Sequence, residues 1–352
     1  MLFFGANVIA NYWLQIPDAE MTLVALSPAI FFVAISSVMR GYFNGRQNIK
    51  ATARSQTIEQ VFKTALTIIL VEIIAVISNV STEWMAGGAT LATTLATMSG
   101  FGYLYLYYKT RSKEIAVEIK STVNYKYERV RTIIRRILVV SIPIALTAIM
   151  SSLNKNIDSF TVVRSLKQFM PEDMALSQYG ILGGKVDTLT SLPLSINVAF
   201  STALVPAISA AKARKDKKTI TEKTSFSLLT SMLIGLPCTI GMCIFAGPIL
   251  NLLFPKASDG TVILQISSLT ILFTILDQTI NGALQGYGKL KIPTISLGIG
   301  VLVKLILNLI LVPIPEIGVN GAAWASVACH AVAFTIAITA LLSLIHISEP
   351  TR

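Results

Sequence analysis

LSPAIFFVAISSVMRGYFNGRQNIKATARSQTIEQVFKTALTIILV, residues 26–71, decides how the rest of the chain is read. It holds an apolar span, a basic turn (Arg40-Gly41-Tyr42-Phe43-Asn44-Gly45-Arg46) and a second apolar span with Lys63 inside it. The design returns 241 residues later. Ser268, Phe273, Gly282, Gly286, Lys291, Ser296, Lys304, Ile310, Leu311 and Val312 stand opposite Ser27, Phe32, Gly41, Gly45, Lys50, Ser55, Lys63, Ile69, Leu70 and Val71. The register runs without a gap back to Phe4 and Phe245. A shared register of this length, with paired lysines inside apolar segments, argues for an internal duplication.

Working outward, the 352 residues are 53% hydrophobic and 13% charged, with a mean hydropathy of +0.68. Apolar runs of about twenty residues recur along the whole length, which marks bilayer-spanning helices. Expected spans lie near 24–43, 53–79, 84–108, 136–162, 179–209, 224–253, 262–284, 293–313 and 319–343. Residues 1–14 are apolar but too short to span, and read as a partial helix rather than a signal peptide. The fold class expected is an all-α polytopic membrane protein with about nine full spans plus one partial.

The net charge of +11 sits mainly in loops between spans, which points to topology and not to nucleic acid. Basic loops near 44–52, 109–135, 211–223 and 287–291 alternate with acidic ones near 15–22, 80–84, 163–178, 254–260 and 314–318. The acidic set holds Asp18, Glu20, Glu83, Glu172, Asp173, Asp259 and Glu316. The alternation places the basic loops in the cytoplasm of a bacterial plasma membrane. Matching the copies gives an N-lobe of four helices at 1–108, a cytosolic linker at 109–135 and a six-helix C-lobe at 136–342. Spans 136–162 and 179–209 have no counterparts in the first copy, so the natural protein reads as two lobes of six helices in one orientation. Residues 343–352, SLIHISEPTR, resemble the translated read-through of a sequencing-library adapter and read as a non-native tail; a cytosolic tail is the competing reading.

No enzyme signature, metal-ligand spacing or cofactor motif stands out. The histidines are His330, in the last span, and His346; Cys238, Cys243 and Cys329 sit in apolar runs as small hydrophobes. Charges inside spans remain. Each costs about 2.5–3.5 kcal/mol near the bilayer centre on insertion scales, so it faces protein or water. Lys63 and Lys304, at equivalent depth, are expected on facing walls of a cavity for an anionic head group. The competing reading is local neutralisation: Glu59 lies one turn from Lys63, whereas Lys304 has no acid at that spacing. Lys155 and Asp158 share a helix face and read as a structural pair. Asp158, with Asn154 and Arg164, is expected on a helix lining the lobe interface. Lys185 and Asp187 open the next span. Asp277, Gln278 and Asn281 form a polar stripe, either ion-coupling or helix–helix glue. Arg40 reaches head groups or anchors its helix end. Pro193, Pro206, Pro237 and Pro248 are expected to kink their helices.

The segments RGYFNGRQNIKATARSQTIEQVFK, NIDSFTVVRSL, STALVPAISAA, NGALQGYGKLKIPT and VLVKLILNLILVPIPEIGVNGAAWASV are similar to the polysaccharide-biosynthesis and stage-V-sporulation-protein-B family. That family belongs to the flippase superfamily that also holds the lipid II flippase and the multidrug and toxin extrusion (MATE) transporters. The resemblance, over residues 1–342, implies a two-lobed helical bundle with an alternating-access cavity. It implies outward movement of undecaprenyl-pyrophosphate-linked sugars, with membrane lipids as the other partners. Arg40, Lys63, Asp158, Arg164 and Lys304 would lie on the substrate pathway. Glu59, Asp277 and Asn281 would serve coupling to H+ or Na+. A cation-coupled efflux transporter and a non-transporting scaffold in envelope or spore assembly are the rival readings.

Overall fold

A computed structural model describes residues 2–10, 19–46, 48–76, 82–121, 128–255 and 257–346. Asp18, Lys126 and residues 347–352 lie outside them. Among the described residues the regular structure is entirely helical. A chain in hydrocarbon must pair its backbone amides within one segment, and a helix does so. The helices are α1 (Leu2–Val8), α2 (Ala19–Gly45), α3 (Ile49–Val76), α4 (Thr82–Ser121), α5 (Val130–Leu166), α6 (Glu172–Gly180), α7 (Asp187–Ala213), α8 (Lys217–Ile244), α9 (Ala246–Leu253), α10 (Thr261–Gly286), α11 (Lys291–Leu311) and α12 (Val319–His346). They fall into two compact units, residues 1–127 and 128–352.

Seven membrane-crossing segments among the described residues are long and apolar enough by composition: α2, α5, the run from α6 through α7, α8, α10, α11 and α12. The helix α3 is equally long but carries Glu59, Lys63 and Glu72. The stretch expected as a linker is largely helical, because α4 continues to Ser121 and α5 begins at Val130. At 40 and 37 residues these two helices run about 60 and 55 Å, well beyond a bilayer core.

Both units use one packing rule. In the first, α4 packs against α2 and α3, which touch each other little; in the second, α12 packs in the same way against α10 and α11. The offset read in the sequence is therefore carried into three dimensions as a three-helix module. The basic stretch expected as a turn instead continues α2 to Gly45, and aromatics hold it. Phe43 is buried against Tyr103 and Tyr107, and Asn48 Nδ2 donates to the Tyr107 hydroxyl at 3.0 Å. Such amphipathic rings suit a membrane edge.

The second unit adds α5 through α9. Two apolar clusters fill its ends. One joins Val162, Leu166, Leu182, Leu250, Leu264 and Ala322; the other joins Leu204, Ile208, Ile220, Ile280, Leu284 and Leu341. Glycines allow the tight crossings. A Cβ on Gly282 would stand 2.7 Å from Ser201 O, and one on Gly286 2.8 Å from Val205 O, so the pair seats α10 on α7. Gly260 has φ +108, and a Cβ there would meet Ile181 Cγ2 at 2.4 Å.

Two expected spans are built differently. The helix expected from 179 starts at Glu172 and makes a π-helical turn over Ile181–Val186, through Gly183-Gly184. The helix expected over 224–253 breaks at Phe245 (φ −96, ψ 19). Pro193, Pro206 and Pro237 lie inside helices as expected. Pro248 falls in the first turn of α9, three residues after the break at Phe245, where its missing N–H costs nothing. The end of α12 runs through His346, and Leu344 packs against the second cluster.

Candidate functional site

The strongest concentration of buried polar chemistry lies where α5, α11 and α12 meet. Lys304 is 3% exposed, and its ammonium donates to Asp158 Oδ2 at 2.6 Å and to the Asn154 carbonyl at 2.8 Å. Asn308, one turn further along α11, donates to Asp158 Oδ1 at 2.8 Å and contacts Thr161 Oγ1 at 2.9 Å. Asn154 Nδ2 and His330 Nε2 stand 3.2 Å apart. Cys329 Sγ lies 3.5 Å from Asn154 Oδ1, so this cysteine borders polar groups rather than a purely apolar pocket. Gly300 makes the approach possible, since a Cβ there would sit 2.6 Å from Cys329 O.

This geometry corrects several expectations. Lys304 does not present a free positive charge to a cavity, because Asp158 on another helix neutralises it. The i,i+4 rule that left it without a partner sees only its own helix. Lys155 is exposed and is not the partner of Asp158. Asp158 and Asn154 are buried between helices of their own unit, while Arg164 is exposed and does not join them. Arg164 sits in the last turn of α5, where a cation meets the negative end of the helix dipole.

The first module repeats the theme with other residues. Arg40 Nη2 bonds Glu59 Oε2 at 2.5 Å and Ser55 Oγ at 3.1 Å. Both charged side chains are 18% exposed. Arg40 is thus a strut between α2 and α3, not a head-group anchor, and Glu59 serves Arg40 instead of Lys63. Lys63 is exposed, and no hydrogen bond or ion pair reaches it among the described residues.

The stripe on α10 divides in two. Gln278 Oε1 accepts from Asn197 Nδ2 at 3.1 Å, and Asn197, Ser231 and Thr279, each fully buried, bond one another across α7, α8 and α10. That half is helix–helix glue. Asp277 is 6% exposed; its Oδ2 accepts from Asn281 Nδ2 at 2.9 Å, while Asp277 Oδ1 and Asn281 Oδ1 are buried without partners among the described residues. Two buried acceptor oxygens with no donor among the described residues form a site that a proton or a hard cation would satisfy. Lys185 spans back to the Ala257 carbonyl at 2.5 Å and covers the Phe254 ring, which fixes the π-helical turn.

Asn197, Ser231, Thr279, Asn308 and Thr161 escaped the sequence reading. Asn308 was detectable, since Lys304 and Asn308 repeat the i,i+4 spacing of Asp277 and Asn281. The others are single uncharged polar residues in apolar spans, and only their partners distinguish them.

The model of the family described as lipid II flippase MurJ matches residues 27–347. The chain belongs to the MurJ family. Relatives of this MurJ-family chain include stage V sporulation protein B of Bacillus subtilis (strain 168), 27% identical over 328 residues covering 93% of this chain and 62% of the relative. The lipid II flippase MurJ of the same organism is 25% identical over 315 residues, 87% of this chain and 57% of the relative. The chain therefore spans about three fifths of the length of these relatives. Among solved structures, an inward-facing multidrug resistance MATE transporter of the MOP superfamily aligns with TM-score 0.70 at 15% identity, covering 99% of this chain and 78% of that one. Lipid II flippase MurJ in an inward closed conformation aligns with TM-score 0.61 at 17% identity, over 92% and 63%. These two likenesses show the fold: a helical bundle of the kind these two structures share.

Proposed function

We propose that this MurJ-family chain is the larger part of a flippase for a lipid-linked, pyrophosphate-bearing cell-envelope precursor, working by alternating access. The match over residues 27–347 carries this reading. The remaining cations refine it. Arg40 and Lys304 are held by carboxylates, so they shape the helices that form the pathway. Lys63 and Arg164 are exposed and unneutralised among the described residues, and they are the side chains we propose to meet the anionic carrier. Asp277 with Asn281 is the proposed coupling site for H+ or Na+. The same buried acid favours, as a second reading, a cation-coupled exporter of organic cations. The basic loops are proposed to be cytoplasmic, in a bacterial plasma membrane.

Translocation of a lipid-linked precursor in cells depleted of their own flippase tests both readings. Lys63→Ala and Arg164→Ala change exposed residues, which as a rule shifts stability by no more than about 0.5 kcal/mol. Each is expected to lower translocation with normal protein levels, and Asp277→Asn to remove its dependence on the ion gradient. Wild-type protein that restores drug export but no precursor translocation would overturn the flippase reading in favour of the second.

A further inference from the structure

A cavity separate from the buried ion pairs lies wholly within the second unit, at the end that carries the basic loops. Its volume is about 570 Å³. The apolar wall is Val140 and Ile144 of α5, Val205 of α7, and Leu290. Lys212 and Gln285 supply its polar side. We infer that this cavity binds an anionic lipid phosphate at the membrane edge, with the phosphate on Lys212 and Gln285 and the first methylenes along Val140 and Ile144.

Four observations carry this. The volume lies in the range of about 300–1,000 Å³ usual for small-ligand sites, enough for a phosphate and several methylenes. The Lys212 ammonium is placed but not neutralised. It donates to the Tyr287 carbonyl at 2.7 Å and rests 5.1 Å from the Tyr287 ring centroid, which leaves two N–H donors and the full charge. No carboxylate among the described residues lines the cavity, and Asp216, four residues after Lys212, is occupied in capping α8 through Thr219. The Gln285 amide makes no hydrogen bond among the described residues.

The third observation is rigidity. Ser209 Oγ donates to Gly286 O at 3.0 Å, and a Cβ on Gly286 would press on Ile208 Cβ at 2.8 Å, so α7 and α10 are locked at the cavity floor. Gly288, at φ +78, leaves open the space beside the ammonium; a Cβ there would stand 3.6 Å from Lys212 Nζ. The fourth is continuity with the bilayer. Val140 and Ile144 are 48% and 43% exposed, and Ile137 on the same helix is 57% exposed, so an apolar track for an acyl or prenyl chain leads out of the cavity.

The rival role for Lys212 is a cap on the last carbonyls of α10 and nothing more. The two are separated by reconstituting the full chain in phosphatidylcholine nanodiscs with either phosphatidylglycerol or undecaprenyl pyrophosphate added, then counting lipid retained by native mass spectrometry. Wild type is expected to retain one anionic lipid. Lys212→Gln should lower retention by about tenfold, as loss of a charge-assisted contact does, while Lys212→Arg keeps it. Ile144→Trp, which fills the apolar end and leaves the α10 cap alone, should lower retention as well. Retention in both lipid arms identifies a phospholipid site, and retention in the pyrophosphate arm alone identifies the carrier. Equal retention by wild type, Lys212→Gln and Ile144→Trp would mean adventitious annular lipid only and would overturn the site. Binding is read without transport, so this outcome is independent of whether the protein is a flippase.

Discussion

Two ionised residues inside an apolar helix bundle are tolerable only as a pair. Lys304 and Asp158 meet at 2.6 Å with almost no exposure, and Asn308 and the Asn154 carbonyl complete their hydrogen bonds. Removing either partner strands the other, a loss of about 3–5 kcal/mol, whereas removing both with apolar residues of similar volume comes near neutral. Lys304→Met and Asp158→Leu singly should therefore lower the thermal midpoint in detergent far more than the double variant does. Additive losses would show that the two do not depend on each other. At the solvent edge, two hydrogen bonds from Thr219 hold the Asp216 carboxyl below its ordinary pKa. A depressed native pKa stabilises above the unfolded value, about 3.9, and the benefit fades as pH falls through the native one. Protection of the amides at the start of α8, taken relative to their intrinsic exchange rate at each pH, should thus fall below about pH 4 in wild type and hold steady there in Asp216→Asn.

The twin modules share a glycine pair but not its surroundings. Gly282 and Gly286 are pressed against the α7 backbone, while a Cβ on their repeat mates Gly41 and Gly45 would meet nothing within 4 Å among the described residues. Gly286→Ala is expected to destabilise by about 1–3 kcal/mol, because two packed backbones must separate. Gly45→Ala in this 352-residue chain should be neutral or stabilise by up to about 1 kcal/mol, through helix propensity alone. Comparable melting points for the two variants would remove the role given to the α7–α10 crossing. The break between α8 and α9 belongs to this scale too. Gly247-Pro248 reads as a kink in sequence, but the new helix starts just before it and places the proline in its first turn.

For the whole molecule, charge bias in the loops should set orientation. With the native cysteines replaced, Lys215→Cys should react with an impermeant thiol reagent only from the cytosolic side, and Asp259→Cys only from outside. The opposite pattern would invert the topology proposed here.

Composition and hydrophobic period determined the class: a chain this apolar, with basic and acidic loops in turn, has only membrane helices open to it. The offset of 241 residues exposed the repeated module, since helices that pack alike keep small and charged residues in register. Neither could say which side chains meet. Glu59 stands one turn from Lys63 in the sequence yet bonds Arg40 on α2, and Asp158 stands near Lys155 yet bonds Lys304 on α11. In a low-dielectric interior a charge takes the opposite charge that tertiary packing brings closest, and sequence distance has no part in that choice.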